Sequence, residues 1–108
     1  AYVVKSNPII NDVTLEDAKF AGIDKLATIL EVDAGQKISA PGVIMQYASK
    51  EFLDLFESSD MVISKGQGNY EGLSEVDREV FFLLVVKCPI VAKDIQDEVG
   101  KLILKVKG

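Results

Sequence analysis

Apolar residues occur in short runs separated by polar and glycine-containing segments. Runs without strict alternation are typical of strands covered on both faces, and four of them stand out, with a fifth candidate near the end of the chain. The predicted strands are Tyr2–Val4, Leu26–Val32, Met61–Ser64, Val80–Val86 and Leu102–Val106. The longest run ends at Lys87 and falls well short of the roughly 20 apolar residues of a membrane span.

Helix signals lie between these runs. Thr14 followed by Asp17 resembles a capping box and predicts a short helix that Gly22 would end. Ser49 would cap the following segment KEFLDLFESS, whose apolar residues form one broad stripe. Both segments therefore fit amphipathic helices that pack on a sheet.

Three segments are less regular. Ser74 with Asp77 predicts another short turn of helix before the fourth strand, and residues 91–100 are compatible with either a short helix or a loop. Residues 33–48 contain two glycines and a proline without clear periodicity, so we expect a loop there.

Strands that alternate with helices predict right-handed βαβ crossovers and a mainly parallel sheet. The predicted fold class is α/β, a three-layer, Rossmann-like arrangement with helices flanking the sheet. Residues 1–108 show no internal repeat and no linker, so we expect one unit. A unit of this size buries a modest share of its surface, and a piece of a larger domain would lack stabilisation.

The amino-acid composition argues against several classes of function. The chain has 17 acidic and 12 basic residues, a net charge of −5 and no basic cluster, which argues against nucleic-acid binding. Its single cysteine, Cys88, cannot form an internal disulfide and fits a reduced, cytoplasmic setting. There is no histidine, so a Ser-His-Asp triad and His-bound zinc are excluded. Chemistry must rely on carboxylates, amides, lysines, water or a metal.

Ligands of open α/β sheets collect beyond the carboxyl ends of the strands. Three segments rich in Gly, Asn, Asp and Ser follow predicted strands, namely SNPIIND (6–12), DAGQKISAPG (33–42) and SKGQGNYEG (64–72). Helices that begin after such segments present free N–H groups and a positive dipole end. A phosphate is the ligand that this arrangement favours.

The segment SKGQGNYEG fits neither the Rossmann glycine fingerprint nor the P-loop. It does place Lys65 at a strand end, before Gly66 and Gly68, whose backbone N–H groups can form an anion nest. Asn69 could add an amide donor. The alternative is that the glycines only make a tight turn and that Lys65 is solvated.

The segment after the first strand places Asn11, Asp12 and Asp17 close together in sequence. Asp12 is a candidate ligand for Mg²⁺ or Mn²⁺, with Asn11 or Asp17 orienting it or a bound water. The alternative is that these side chains make turns and helix caps. One carboxylate is too little for a tight site, so further ligands must come from elsewhere.

A divalent ion beside Asp12 would neutralise phosphoryl oxygens and lower the pKa of a bound water, while Lys65 would stabilise the transition-state charge. An aspartyl-phosphate mechanism is disfavoured because the chain contains no Asp-x-Asp. With further metal ligands from elsewhere, these residues would allow phosphate-ester hydrolysis without histidine or a covalent nucleophile.

Four segments, VVKSNPIINDVTLEDA (3–18), APGV (40–43), SKGQGNYEGL (64–73) and FFLLVVKCPIVA (81–92), together resemble the metal-dependent damage-control phosphatases, long catalogued as a domain of unknown function. The likeness covers nearly the whole chain and is closest to stand-alone archaeal-type members. It implies that Asp12 is a metal ligand, that Lys65 meets the substrate phosphate, and that Asn69 lines the same pocket. Asp17 and Lys5 match recurrent positions without an assigned role.

One departure limits what the resemblance implies. The family's other two protein ligands form an Asp-Asn pair in an Asp-Asn-Ala-Gly motif upstream of the first strand, and this motif is absent here, as is the family's N-terminal helical region. We therefore expect the chain to be the C-terminal part of a larger domain, binding metal poorly by itself and needing the remainder of its polypeptide as a partner.

The leading hypothesis is a phosphatase that hydrolyses phosphomonoesters of small metabolites, such as sugar phosphates or phosphorylated cofactor fragments, with Mn²⁺, Co²⁺, Ni²⁺ or Mg²⁺. The alternative is a non-catalytic phosphate- or nucleotide-binding module. A structural oligomerisation piece is a third possibility, since a cut domain exposes apolar surface. The sequence identifies neither the physiological substrate nor the metal, and it leaves the oligomeric state open.

Overall fold

The computed structural model describes residues 1–33, 36 and 40–107. Five strands and four α-helices alternate along these ranges, with short 3-10 helices at Ile23–Lys25 and Met45–Tyr47. The strands are β1 (Tyr2–Val4), β2 (Ile29–Glu31), β3 (Ile63–Lys65), β4 (Val80–Val85) and β5 (Leu102–Lys107). The helices are α1 (Leu15–Phe20), α2 (Lys50–Ser58), α3 (Gln67–Leu73) and α4 (Pro89–Ile95). None of the helices described is long and apolar enough to cross a membrane.

The predicted α/β class is confirmed, and each predicted strand is present within a few residues of its expected bounds. The predicted helical turn at Ser74–Asp77 is wrong, because α3 ends at Leu73 and turns lead from there to β4. The ambiguous segment 91–100 begins inside α4 and continues as a turn. The predicted loop at 33–48 lies partly outside the described residues, and its described part contains the second 3-10 helix.

The strands form two separate sheets. β1 pairs with β2 in parallel, and β3 pairs with β4 in parallel. β5 is antiparallel to β4 and makes the second sheet mixed. The segment after α4 bonds beside the end of β4: the N–H of Gly100 donates to the carbonyl of Val86 at 2.7 Å, and the N–H of Val86 donates to the carbonyl of Lys101 at 2.9 Å. The chain therefore enters β5 from the end at which β4 finishes.

Capping side chains begin the first two helices as the sequence predicts. The Thr14 hydroxyl accepts the N–H of Asp17 at 3.3 Å, and the Asp17 carboxylate accepts the N–H of Thr14 at 3.0 Å. The N–H and the hydroxyl of Thr14 both donate to the Asp17 carboxylate, and these two bonds lower the pKa of the Asp17 carboxyl. The Ser49 hydroxyl accepts the N–H of Phe52 at 3.0 Å. Asp17 thus acts as a helix cap, the structural alternative considered above.

The hydrophobic core lies on one face of the β3–β5 sheet. Alternate residues of β4 point into it, and Phe82 and Val80 are fully buried. Residues of the helices and one residue that follows β2 complete the core: Val32, Phe52, Phe56, Tyr70, Leu73, Val91 and Ala92. The expectation that strands are covered on both faces is therefore wrong for the described residues, because the other face of β4 and β5 is open.

Arg78 fixes the end of α2 against the start of β4. Its guanidinium donates to the carbonyl of Phe56, to the carbonyl of Ser59 at 3.1 Å and to the Ser59 hydroxyl at 3.4 Å. Its central carbon also lies 5.3 Å from the centre of the Phe56 ring. One planar side chain therefore satisfies carbonyls that the helix terminus leaves unpaired.

Replacing Arg78 with Lys tests this contact. An ammonium group cannot reach both carbonyls and stack on the ring, so Arg78→Lys should lower the free energy of unfolding by about 1.5 kcal/mol. Urea denaturation measures the loss, and Lys93→Arg, an exposed control on α4, should change stability by less than about 0.5 kcal/mol. An Arg78→Lys protein as stable as the wild type would show that charge alone suffices.

Candidate functional site

Asp12 is held in a tight turn after β1. The Asp12 N–H donates to the carbonyl of Ile9 at 2.9 Å, and the Lys5 N–H donates to the carbonyl of Val13 at 2.9 Å. These bonds fold residues 6–13 back on the end of β1. One carboxylate oxygen of Asp12, Oδ2, accepts the N–H of Gly42 at 2.6 Å. The other oxygen has no hydrogen-bond partner among the described residues, which leaves it available to a ligand.

Lys65 is the last residue of β3 and stands beside the start of α3. Gly66 joins the two elements with φ of +95°, a conformation that favours glycine, and its N–H donates to the carbonyl of Leu83 at 2.8 Å. The segment is therefore a strand–helix junction rather than the glycine loop suggested by its sequence. Gly66 therefore supplies the backbone conformation of the junction and no anion-binding donor, because its N–H already bonds to Leu83.

The free N–H groups at this junction belong to the first turn of α3. An α-helix leaves its first N–H groups without intrahelical acceptors, and here these are the N–H groups of Gln67, Gly68 and Asn69. The next N–H, that of Tyr70, donates to the Gly66 carbonyl at 3.1 Å. Of the two N–H groups predicted to bind an anion, that of Gly68 is free and that of Gly66 is already used. The free N–H groups therefore begin one residue later than predicted, at Gln67.

Asn69 links α3 to two other segments. Its side-chain oxygen accepts the N–H of Val43 at 2.8 Å, and its amide nitrogen donates to the carbonyl of Lys65 at 2.8 Å. One amide N–H remains for a ligand. The predicted contact of Asn69 with substrate stays a prediction, and the structure adds a role in holding the junction together.

Residues 41–43, which we call the strap, connect the Asp12 turn to α3. Asp12 binds the N–H of Gly42, Asn69 binds the N–H of Val43, and the Lys5 ammonium donates to the Gly42 carbonyl at 2.8 Å. Two side chains from the segment that follows β1 and one from α3 thus hold three successive backbone groups. The strap is the physical connection between Asp12 and Lys65.

Glycines allow the strap to lie directly on α3. A Cβ added to Gly42 would overlap the backbone of Gly68, and a Cβ added to Gly72 would overlap the carbonyl oxygen of Val43. A Cβ on Gly68 would stand 3.2 Å from the Cβ of Pro41. Gly68 and Gly72 are one helical turn apart, so they form a flat face against which the strap packs.

Lys5 is 6 % exposed and forms a buried ion pair with Asp33, with 3.5 Å between Nζ and Oδ2. The N–H of Ser6 donates to the other carboxylate oxygen of Asp33 at 3.0 Å. Burial raises the pKa of Asp33, but the hydrogen bonds from Ser6 and the Lys5 charge outweigh it, so the pKa lies below its usual value. The Asp33 carboxylate is therefore charged at neutral pH, and the ion pair orients Lys5 toward the strap.

Helix α3 is fixed on its other side by Tyr70. The Tyr70 ring packs edge-on to Phe82 with ring centres 5.1 Å apart, and its hydroxyl donates to the carboxylate of Asp94 on α4. Burial, together with this hydrogen bond, raises the pKa of Tyr70 to about 12. The phenol stays protonated at neutral pH, so it anchors α3 and does not serve as a base.

A cavity of about 720 Å³ opens between β1 and β3. Its polar end is lined by the strap and by Asn11, Asp12, Lys65, Gln67 and Asn69. The structure thus brings the two predicted site residues, Asp12 and Lys65, to one cavity from separate sheets. Asn11 is exposed at the rim of the cavity and has no hydrogen-bond partner among the residues described, so its role stays a prediction.

The free oxygen of Asp12 suits a hard divalent cation, since Mg²⁺ and Mn²⁺ prefer carboxylate ligands. The residues that the structure describes contain no group of three or more Asp, Glu, Cys or His that could hold a metal ion. Asp12 fits as one ligand of such an ion, and the described residues supply only part of a ligand set.

Sequence patterns did not identify the strap or its glycine contacts. Lys5 follows directly on the apolar residues of β1, and a charged residue at the inner end of a buried strand is the signal that could have marked it. Gly72 carries no such signal, because a glycine in a short helix is uninformative until the element that packs on it is known.

Comparison with protein families gives a match over most of the chain. The model of the damage-control phosphatase ARMT1-like domain matches residues 1–103. A damage-control phosphatase of Pyrococcus horikoshii is 45% identical over 100 residues, which are 92% of this chain and 33% of that protein. A damage-control phosphatase of Archaeoglobus fulgidus is 40% identical over 105 residues, which are 96% of this chain and 35% of that protein.

A third relative, an uncharacterized protein of Methanocaldococcus jannaschii, is 45% identical over 106 residues. Among solved structures, the crystal structure of a DUF89 family protein from Pyrococcus horikoshii has a TM-score of 0.85 and 41% identity. That match covers 94% of this chain and 35% of the other. The chain therefore spans about a third of the length of the relatives that it matches.

Gly72→Ala tests the contact between the strap and α3. Helix propensity alone predicts that alanine stabilises the protein by about 1 kcal/mol. The overlap with the Val43 carbonyl predicts the opposite sign, a loss of about 1 to 3 kcal/mol of unfolding free energy. Urea denaturation decides between them, with Glu71→Ala on the same helix as a control expected to stay within about 0.5 kcal/mol. Stabilisation by Gly72→Ala would contradict the contact.

Asp33→Asn tests the ion pair through its pH dependence. Removing the charge leaves Lys5 buried without a counterion, which should cost about 3 kcal/mol of unfolding free energy at pH 7. Because the folded pKa of Asp33 is depressed, its contribution is present above the unfolded pKa near 3.8 and is lost as pH falls through the lower folded value. The difference between wild type and variant should therefore shrink below about pH 4. A difference that is constant from pH 7 to pH 3 would contradict this assignment.

Proposed function

The chain belongs to the damage-control phosphatase ARMT1-like domain family, and we propose that the polypeptide carrying it is a divalent-metal-dependent phosphatase of small phosphorylated metabolites. The observation that carries the proposal is that Asp12 and Lys65, on separate sheets, line the same end of one cavity and are connected by the strap. Two curated relatives are named damage-control phosphatases, which supports the same activity.

The two oxygens of the Asp12 carboxylate have different roles. Its Oδ2 oxygen accepts the Gly42 N–H, which fixes the carboxylate plane, and its second oxygen binds the cation. A bound Mg²⁺, Mn²⁺, Co²⁺ or Ni²⁺ ion would supply charge neutralisation for the phosphoryl oxygens and hydroxide at neutral pH. The remaining protein ligands come from the rest of the polypeptide, in keeping with the Asp-Asn pair that the resemblance implies.

Lys65 provides the positive charge for the phosphoryl group. Its ammonium makes no ion pair within the described ranges, so it is not neutralised by a neighbouring carboxylate. The N–H groups of Gln67, Gly68 and Asn69 lie beside it at the start of α3 and add hydrogen-bond donors. Together these donors would hold the equatorial oxygens as negative charge develops on them during transfer.

The chemistry of the chain favours direct attack by water over a covalent intermediate. The chain contains no histidine and no Asp-x-Asp, which removes the usual phosphohistidine and aspartyl-phosphate nucleophiles from this segment. A reduced, cytoplasmic setting is part of the proposal and rests on the single cysteine.

The decisive experiment measures hydrolysis of an aryl phosphate by the complete polypeptide with and without Mn²⁺. Asp12→Ala should lower kcat/KM by about 100-fold or more and abolish the response to Mn²⁺, because the cation loses a ligand. Lys65→Met should lower kcat by about 100-fold or more at saturating Mn²⁺, because the transition-state charge loses its partner.

Matched controls are available on the 3-10 helix after α1. Asp24→Ala and Lys25→Met remove the same charges from exposed residues outside the cavity and should leave hydrolysis unchanged. Wild-type activity in Asp12→Ala would refute the assignment. Phosphate binding that depends on Lys65, is indifferent to Mn²⁺ and is accompanied by no hydrolysis would instead identify a non-catalytic binding module.

A further inference from the structure

The cavity between β1 and β3 continues beyond its polar end as a slot between two strand edges. Every residue of 1–5 and 61–65 lines it, so the two edges flank it along their whole length. Phe52, Leu55 and Phe56 of α2 form part of its wall. The slot therefore has an apolar end, where the strands begin, and a polar end at Asp12 and Lys65.

The backbone of β1 turns one set of groups toward this slot. Tyr2 donates its N–H to Thr28 at 2.7 Å, and the Val4 carbonyl accepts the N–H of Val32 at 2.9 Å, so these residues bond on the β2 side. Neighbouring residues of a strand direct their backbone groups to opposite sides. The N–H and carbonyl of Val3 therefore face the slot, without a partner in the described parts of the chain.

The backbone of β3 is arranged in the same way. The Val62 carbonyl accepts the N–H of Phe81 at 2.9 Å, and the Gly66 N–H donates to Leu83 at 2.8 Å, so these residues bond on the β4 side. Ile63 then directs its N–H and carbonyl into the slot, where no described residue pairs with them. Unpaired strand edges are unusual in the middle of an α/β fold, because they attract another strand.

The two edges run in the same direction. The strap joins the turn after the carboxyl end of β1 to the helix after the carboxyl end of β3, and the amino ends, Ala1 and Met61, both line the opposite end of the slot. A strand placed between them can therefore pair in parallel with both. Parallel pairing on both sides is the arrangement of a central strand in a doubly wound sheet.

A second, independent observation is the hydroxyl of Ser64. This residue lines the slot, is 5 % exposed, and its Oγ is a buried polar atom without a hydrogen-bond partner among the described residues. Buried hydroxyls are nearly always paired, so an absent partner must be supplied. An extended peptide in the slot would bring backbone groups close to it.

The side chains that such a peptide would carry follow from its surroundings. On one face it would meet Phe52, Leu55 and Phe56 of α2. On the other face it would lie beside Val3, which is 37% exposed, and Ile63, which is 60% exposed. Both faces of the inserted strand should therefore be apolar, and polar residues should follow where it leaves the slot beside Asp12.

We propose that one strand from elsewhere in the same polypeptide, outside residues 1–108, inserts into the slot in parallel with β1 and β3. It joins the two sheets into one, with the order β2, β1, inserted strand, β3, β4, β5. The relatives are about three times as long as this chain, so they contain the polypeptide needed to supply it. This inference is independent of the proposed phosphatase activity.

A second copy of this chain is a poorer occupant. It could fill the slot only by donating a strand that already pairs within its own sheet, and each of β1 to β5 has such a partner. A strand with no other partner loses nothing by inserting. Self-association is accordingly the competing outcome of the test.

Amide hydrogen exchange of the complete polypeptide tests the proposal with internal references. The amides of Val4 and Ser64 face β2 and β4, whereas those of Val3 and Ile63 face the slot. If the strand is inserted, the Val3 and Ile63 amides should exchange within about tenfold of the references. Exchange about 1000-fold faster than the references would refute insertion, and protection that appears only as protein concentration rises would identify a second copy as the occupant.

A proline variant tests whether both edges share one occupant. Ile63→Pro removes the N–H that faces the slot and leaves the β4-facing bonds of Val62 and Gly66 in place. Protection of the Val3 amide, on the far side of the slot, should fall by about tenfold or more, whereas the exposed α4 control Ile90→Ala should not change it. Unchanged protection at Val3 would refute a shared occupant, and if Ile63→Pro unfolds the protein, the wild-type exchange rates decide.

Discussion

The close packing of the strap on α3 is the constraint on which the rest of the structure depends. Residues 41–43 lie against the face of α3 at which both Gly68 and Gly72 lack a Cβ. Their backbone groups are bound by the side chains of Lys5, Asp12 and Asn69. No strand pairing connects the two sheets among the described residues. The strap therefore determines how far the end of β1 lies from the end of β3, and with it the relative position of Asp12 and Lys65.

The same contact explains why several polar residues near the cavity are structural and functional at once. Asp12 uses one oxygen to hold the strap and keeps the other free, and Asn69 uses its oxygen and one N–H of its amide. The buried Lys5–Asp33 pair orients an ammonium group toward the Gly42 carbonyl. A charged pair in such a place contributes less to net stability than to a unique arrangement of the loop it binds.

The sequence predicts local features well, because each depends on a few neighbouring residues. The capping box of Thr14 and Asp17, the Ser49 cap and the strands at Val80 and Leu102 all follow from patterns within one element. The prediction failed where long-range packing decides: the glycines after Lys65 begin a helix, and the turn at Ser74 does not become one. The bonds of Gly42 and the contact at Gly72 connect residues about 30 positions apart, and no local pattern encodes them. The placement of Asp12 beside Lys65 was expected from the family resemblance and from the rule for strand ends, not from spacing.

A single site formed by Asp12, the strap and Lys65 is the central claim, and anomalous X-ray scattering tests it most directly. Crystals of the complete polypeptide with Mn²⁺ and inorganic phosphate should show a manganese peak at coordination distance from the free oxygen of Asp12. A phosphate oxygen should lie within hydrogen-bonding distance of the Lys65 ammonium, with the Gly42 N–H still bound to Asp12. Manganese and phosphate bound together at a place where neither Asp12 nor Lys65 contacts them would contradict the account.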